Sequence, residues 1–251
     1  MAINQAKVLT ITSVKGGTGK TTNVLNLAGI FSSMKKKVLI IDLDLHTGSI
    51  AASMNLKYEK DIYNLFEDLS NNRFDNLENY ISKYNEYISV LPAPKDPRVA
   101  NKINSKFIDL VLYKSKMQYD VILIDTNHIL NEINLCAFDY SDEIVYILSN
   151  DPMDLKNMRT MVSIFNDMGK SNYKIVLYEA IDKNRNYFNK FDIKNIIEKN
   201  INYTIPSSFY LKNIDSYVMN GKILTLDKKI KNRNKKAIKN YNMIATSLIK
   251  E

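Results

Sequence analysis

Val14-Lys15-Gly16-Gly17-Thr18-Gly19-Lys20-Thr21-Thr22 stands between two contrasting segments. The apolar run Val8-Leu9-Thr10-Ile11-Thr12 leads into it, and a helix-compatible run from Asn23 to Met34 leads out. Strand, glycine-rich turn, Lys-Thr, helix is the order a phosphate-binding loop requires. Glycines let successive backbone N–H groups turn toward one anion, which Cβ atoms would hinder. The N-terminus of the following helix adds partial positive charge. Lys20 then supplies a full charge to terminal phosphates, and the Thr21 hydroxyl is placed to ligate Mg²⁺.

Outward from this loop, composition sets the frame. The chain has 251 residues, 45% hydrophobic and 25% charged, which suits one large α/β domain over residues 1–251. Only 7 Gly and 5 Pro are present, so linkers are not expected. Cys136 is the single cysteine, which excludes an internal disulfide and fits a reducing compartment. No apolar run is long enough to span a membrane, and the N-terminus lacks the layout of a signal peptide. A cytoplasmic protein is expected.

The net charge of +8 is concentrated. Between Lys222 and Lys239 lie eight basic residues, among them Lys228, Lys229, Lys231, Arg233, Lys235 and Lys236, against one acid, Asp227. Such a stretch suits an acidic partner, nucleic acid or an anionic membrane surface, and equally a solvated face.

Short Val- and Ile-rich runs alternate with helical patterns along the chain. Strands are expected at Lys7–Ser13, Lys37–Asp42, Tyr87–Leu91, Asp120–Asp125, Glu143–Ser149, Tyr173–Tyr178 and Asn202–Ile205. Val38-Leu39-Ile40-Ile41 and Val121-Ile122-Leu123-Ile124 are apolar on both faces, as central parallel strands are. Helices are expected at Lys20–Met34, Asp61–Leu69, Asp75–Tyr84, Val99–Met117, Asn131–Tyr140, Pro152–Met168, Phe188–Asn200, Ser208–Asn220 and Asn232–Ile249. Asp61 and Ser208 suit N-caps, and Pro152 a first helical position. The fold class is therefore α/β, a doubly wound, mostly parallel sheet with helices on both faces. Ala237, Ile238, Tyr241, Ile244, Ala245 and Leu248 form a stripe on the last helix that docks on the sheet. The alternative for this stripe is a peripheral membrane anchor.

Two further acidic sites follow the loop in order. Asp42-Leu43-Asp44 puts two carboxylates two residues apart where a strand ends, so both can point at the phosphate site or merely cap a turn. Val121-Ile122-Leu123-Ile124-Asp125 is an apolar strand ending in an acid, the pattern that holds Mg²⁺ beside β- and γ-phosphates.

K-G-G-x-G-K-T-T, with Lys15 beside the position where the common loop has its first glycine, resembles the deviant Walker A loop of the MinD/ParA family of ATPases. The Asp-x-Asp at Asp42 and Asp44 resembles that family's second signature. The resemblance implies a P-loop NTPase fold, ATP and Mg²⁺ as cofactors, and slow ATP hydrolysis. It places residues 15–22 on the phosphates, Thr21, Asp42 and Asp125 at the metal, and Asp44 on the attacking water. Lys15 would reach across an ATP-bound homodimer to the other subunit's nucleotide. The sixth strand of many relatives ends in Asn-Arg; here Leu177 runs into Tyr178-Glu179, so adenine would stack on Tyr178 or meet backbone near Pro206. After Asp125 come Thr126-Asn127-His128, where family members often have proline.

Asp42-Leu43-Asp44-Leu45-His46-Thr47-Gly48-Ser49 and Ile88-Ser89-Val90-Leu91-Pro92-Ala93-Pro94 look most like pilus-assembly ATPases of the CpaE/TadZ type. That likeness implies pilus or secretion machinery as partners. Such proteins typically carry a receiver-like domain before the loop; here the loop begins at residue 14, so that domain is not expected within this chain. ParA-like DNA binding through Lys228–Lys239 and MinD-like membrane cycling are the other expectations.

Overall fold

The computed structural model describes residues 5–179, 187–209 and 214–249. Eight strands form one sheet in the order β3-β4-β2-β5-β1-β6-β7-β8. They are β1 (Lys7–Thr12), β2 (Val38–Asp42), β3 (Ser82–Lys83), β4 (Ile88–Leu91), β5 (Val121–Asp125), β6 (Glu143–Ser149), β7 (Tyr173–Tyr178) and β8 (Tyr203–Ile205). Every pairing is parallel except that of β3 with β4.

Strand alternation divides the core. Leu9, Ile11, Val38, Ile40, Val121 and Leu123 face one side, packed on α1 (Lys20–Ser33) and the C-terminal helices. Val8, Leu39, Ile41, Ile122 and Ile124 face the other, covered by α3 (Ile62–Ser70), α4 (Lys106–Ser115) and part of α5 (Glu132–Tyr140). Farther along that face, α6 (Pro152–Asp167) and α7 (Lys190–Ile197) cover β6 and β7. Helices on both faces explain why the central strands carry no polar side.

Most expected elements form, with four differences. The helix expected over Asp75–Tyr84 is a 3₁₀ turn, Leu77–Tyr80, followed by β3. Asn85 turns the chain there: its Oδ1 accepts the N–H groups of Tyr87 and Ile88, closing a hairpin onto β4. The helix expected over Val99–Met117 divides into a 3₁₀ segment, Pro97–Lys102, and α4. Ile103 is extended between them, and Asn104 Oδ1 accepts the Lys106 N–H. A short α2 (Ile50–Ser53) was not expected at all.

The C-terminal helix begins later than expected. Lys228–Arg233 is a separate α9, and α10 runs from Lys235 to Ile249 after a break at Asn234. Of the helix expected over Ser208–Asn220, α8 (Ile214–Met219) is seen; residues 210–213 and the Ser208 side chain lie outside the described residues. On α10, Ala237, Tyr241, Ile244, Ala245 and Leu248 are buried, so its apolar stripe is used for docking. Among the described residues no helix is long and apolar enough to cross a membrane.

Candidate functional site: a phosphate cradle at the strand ends

β1 lies between β5 and β6, while the chain first runs outward through β2 and β4. Crevices at the C-terminal strand ends beside such a reversal are where open α/β sheets bind ligands. All three sequence motifs meet there. Asp42 and Asp125, at the ends of β2 and β5, are direct partners in the sheet register. The loop leaving β1 turns above them into α1.

That loop has the geometry of a cradle. Gly17 and Gly19 take φ of +75° and +92°, the left-handed region where a Cβ would be strained. The αL Gly19 stands at the N-cap of α1, which has no side-chain cap and no acid in its first turn. Its first helical bond is Asn23 N–H to Gly19 O. The N–H groups from Gly16 to Thr22 donate to no described backbone group, so a helix N-terminus is left open to an anion.

Side chains then converge on the cradle. Lys20 Nζ donates to Ser13 Oγ at 3.1 Å, and Ser13 Oγ donates to the Lys15 carbonyl at 2.6 Å. Thr21 Oγ1 donates to Asp125 Oδ2 at 2.8 Å and lies 3.1 Å from Ser49 Oγ. Asp42 accepts the N–H of Asp44 through Oδ1 and that of Ile50 through Oδ2. Asp44 Oδ2 accepts the Thr47 hydroxyl at 2.7 Å. Gly48 permits this close loop: a Cβ there would stand 2.3 Å from that of Ala93.

The electrostatics suit a positively charged ligand. Asp42 and Asp125 are 1% exposed. Burial raises the Asp42 pKa well above the carboxylate range, and the neighbouring Asp125 raises it further. Burial also raises Asp125, with Asp44 adding to it, against the Thr21 hydroxyl and the Lys20 charge. Burial lowers Lys20, opposed by Asp125, Asp44 and Asp154. Asp125 Oδ1 has no hydrogen-bond partner although it is buried.

Thr21 Oγ1 and the unpaired Asp125 oxygen suit Mg²⁺. Among the described residues no group of three or more His, Cys, Asp or Glu gathers, so an all-protein cage is absent. Mg²⁺ is usually held by one or two carboxylates together with waters and phosphate oxygens, which is the donor set available here.

Other expected residues lie farther out. Thr18 is buried with its hydroxyl unpaired. Thr22 lines a separate cavity of about 120 Å³ with Thr21, Asn26, Ser49 and Lys222. Lys15 does not face the cradle; its Nζ pairs with Asp151 Oδ1 at 3.1 Å, in the loop after β6. Tyr178 and Pro206 sit together at the ends of β7 and β8, where Tyr178 pairs with Ile205. Tyr178 is partly buried against the α1-side core, and Pro206 is buried. The Ser207 N–H donates to Glu179 there, which fixes the turn around Pro206.

Ser13 joins the site without a sequence signal, since serines are common; Ser49, the last residue of the 42–49 stretch, and Asp151, next to Pro152, join it without a role having been read for them. Asn134 is another: it is 1% exposed, and its Nδ2 donates to both Asn127 Oδ1 and Ile129 O at 2.7 Å.

Comparison with known proteins gives this geometry its kinship. A family model described as AAA domain matches residues 6–175. Tyrosine-protein kinase YwqD of Bacillus subtilis is 31% identical over 128 residues, 50% of this chain and 52% of that protein. The virulence plasmid ParA family protein pGP5-D of Chlamydia psittaci is 28% identical over 173 residues, 66% of this chain and 65% of that one. The chain thus spans about half of the first relative's length and just under two thirds of the second's. The septum site-determining protein MinD of Pyrococcus horikoshii, solved with Mg-ADP, superposes with a TM-score of 0.77 at 20% identity, over 97% of this chain and 96% of that one. The chain belongs to the AAA domain family matched over residues 6–175.

Proposed function

We propose that the protein binds Mg²⁺-ATP in the cradle of residues 15–22 and hydrolyses it slowly as a nucleotide-driven dimerisation switch. The observation that carries this reading is the convergence of Lys20, Thr21, Asp42, Asp44 and Asp125 on one open helix N-terminus. Bound Mg²⁺ would neutralise charge on the β- and γ-phosphate oxygens. Thr21 and Asp125 hold the metal side of the site, and Asp42, fixed by two backbone N–H groups, lines it. Lys20 swings from Ser13 to the terminal phosphates. Asp44, steadied by Thr47, orients the attacking water; in phosphoryl transfer, positioning of this kind supplies most of the catalysis. Adenine lies toward Tyr178 and Pro206.

Lys15 makes this half of a two-subunit site. To reach a partner's nucleotide it must leave Asp151, and both side chains of that pair are substantially exposed, at 46% and 38%. Exposed ion pairs contribute about 0.2–1 kcal/mol, so release opposes dimerisation only weakly. The cargo we infer is a cell-surface machine of the Flp or type IV pilus kind. That part rests on the stretches at 42–49 and 88–94 alone.

The test is gel filtration and nucleotide titration with ADP and with ATP. Lys20→Ala should lose nucleotide binding, and Asp44→Ala should bind ATP and accumulate as dimer with hydrolysis lost. Equal hydrolysis by wild type and both variants would sink the proposal.

A second reading, ParA-like binding of DNA, is favoured by the bare charge of the C-terminal region. Lys222, Lys228, Lys229, Arg233, Lys235, Lys236 and Lys239 are exposed, and none is in an ion pair with a described residue. MinD-like membrane cycling is less supported, because the apolar stripe of α10 is already buried.

A further inference from the structure

The chain has two histidines, and one of them, His128, stands at the cradle. Its ring atoms Cε1 and Nδ1 lie 3.6 Å from the point a Cβ on Gly16 would occupy. His128 also lines, with Ser13 and Val14, a cavity of about 330 Å³ beside the first half of the loop. Ser13 is the group that holds the Lys20 ammonium. His128 and Lys20 therefore both border the end of the cradle that Ser13 marks.

The position of His128 is imposed by its neighbours. Thr126 is tied to β1, its N–H and hydroxyl both donating to the Ile11 carbonyl. Asn127 Oδ1 accepts from the Ile129 N–H at 2.9 Å and from Asn134 at 2.7 Å. Asn134 also holds the Ile129 carbonyl. Residues on both sides of His128 are thus pinned by one buried amide, whose own Oδ1 has no partner. The two bonds that Asn134 donates fix the loop, while its unpartnered Oδ1 costs stability. The His128 side chain itself is exposed and makes no hydrogen bond with a described residue. The loop is built to present an imidazole that is structurally uncommitted.

We propose that His128 is a specificity-determining residue that donates a ring N–H to the terminal phosphate of a bound nucleoside triphosphate, favouring it over the diphosphate. The inference rests on the reading of the cradle as an ATP site. On this reading the ring meets the terminal phosphate and no phosphate of a diphosphate held by the same backbone N–H groups, so the contact separates the two nucleotides. The clamp at Asn134 means that no loop ordering opposes the contact.

The test uses the full chain and the Mg²⁺ complexes of ATPγS and ADP, titrated calorimetrically. His128→Phe keeps a flat ring against Gly16 and removes both nitrogens. His128→Gln keeps a donor. His128→Phe should weaken ATPγS about tenfold and ADP by less than about twofold, as the loss of one hydrogen bond to a charged group predicts. His128→Gln should fall between wild type and His128→Phe for ATPγS. Unchanged affinities for both nucleotides, or equal weakening of both by His128→Phe, would overturn the role of His128 while wild type still binds. If folded wild type binds neither nucleotide, the ATP reading fails and this inference falls with it. Thermal melting of each variant separates loss of fold from loss of contact.

Discussion

Asp125 shows at the residue scale how the site trades stability for binding. Its carboxylate and that of Asp42 are register partners with 1% exposure each, and burial raises both pKa values. A raised folded pKa contributes stability that is fully present below the ordinary value of 3.8 and is lost as pH rises through the folded value. The nucleotide-free protein should therefore lose this contribution between mildly acidic and neutral pH. Asp125→Asn keeps an acceptor for the Thr21 hydroxyl and removes one charge. It should raise the unfolding free energy of the nucleotide-free protein at pH 8 by on the order of 1–3 kcal/mol, with little gain at pH 4. Mg²⁺-dependent nucleotide binding should fall in the same variant. Urea unfolding at the two pH values decides it; an unchanged or lower stability at pH 8 would contradict the account. Asp42, Asp44 and Asp125 were legible because each follows an apolar run. The roles of Ser13, Ser49, Asp151 and Asn134 were not, because their partners are brought to them only by the fold.

Element boundaries depend on a few side chains that bond their own backbone. Asp61 is such a residue: its Oδ1 accepts the N–H groups of Tyr63 and Asn64, and Asn64 answers by accepting the Asp61 N–H. Its Oδ2 also accepts the Lys95 N–H, tying α3 to the loop after β4. Asp61→Ala should lower stability by about 1–2 kcal/mol, the upper part of the range for lost N-caps, read as a reduced urea midpoint at unchanged slope. A loss below experimental error would show that water replaces the cap. This cap was readable from sequence, as was Pro152 at the start of α6. The same chemistry was missed where it breaks a helix. Asn85 closes the hairpin before β4, Asn104 bonds the first residue of α4, and Asn234 follows the last residue of α9, each at a boundary that apolar spacing does not mark. Periodicity counts apolar positions and is blind to an asparagine that competes for the backbone.

At the scale of the whole molecule, the C-terminus is tied to the cradle. Tyr241 of α10 donates its buried hydroxyl to Asn23 Oδ1, and Asn23 Nδ2 donates to the carbonyl of Gly19. Thr225 reaches Asn26 on the same helix, and Gly29 makes room for it: a Cβ at Gly29 would lie 2.2 Å from Thr225 Oγ1. The basic residues of α9 and α10 are thereby set at a fixed distance from the phosphate loop. If this face binds DNA in the ATP state, affinity should fall steeply with salt, irrespective of sequence. Each lysine among Lys228, Lys229, Lys235 and Lys236 replaced by alanine should reduce the log–log salt slope by about 0.9 when it contacts a phosphate. Fluorescence anisotropy with and without Mg²⁺-ATP measures this, and no binding at low salt in either state removes the DNA reading.

From the amino-acid sequence alone came the parallel α/β plan and the candidate site of a glycine-rich loop followed by three acids. These depend on short-range features: glycine conformations, runs apolar on both faces, and the spacing of charges at strand ends. What each charge faces emerges from the packing of distant segments. That packing placed Lys15 on Asp151, brought His128 beside Gly16, and closed α10 over the helix that carries the cradle. Those contacts join segments far apart in the chain, so their geometry depends on how the strands are ordered across the sheet, which no local pattern encodes.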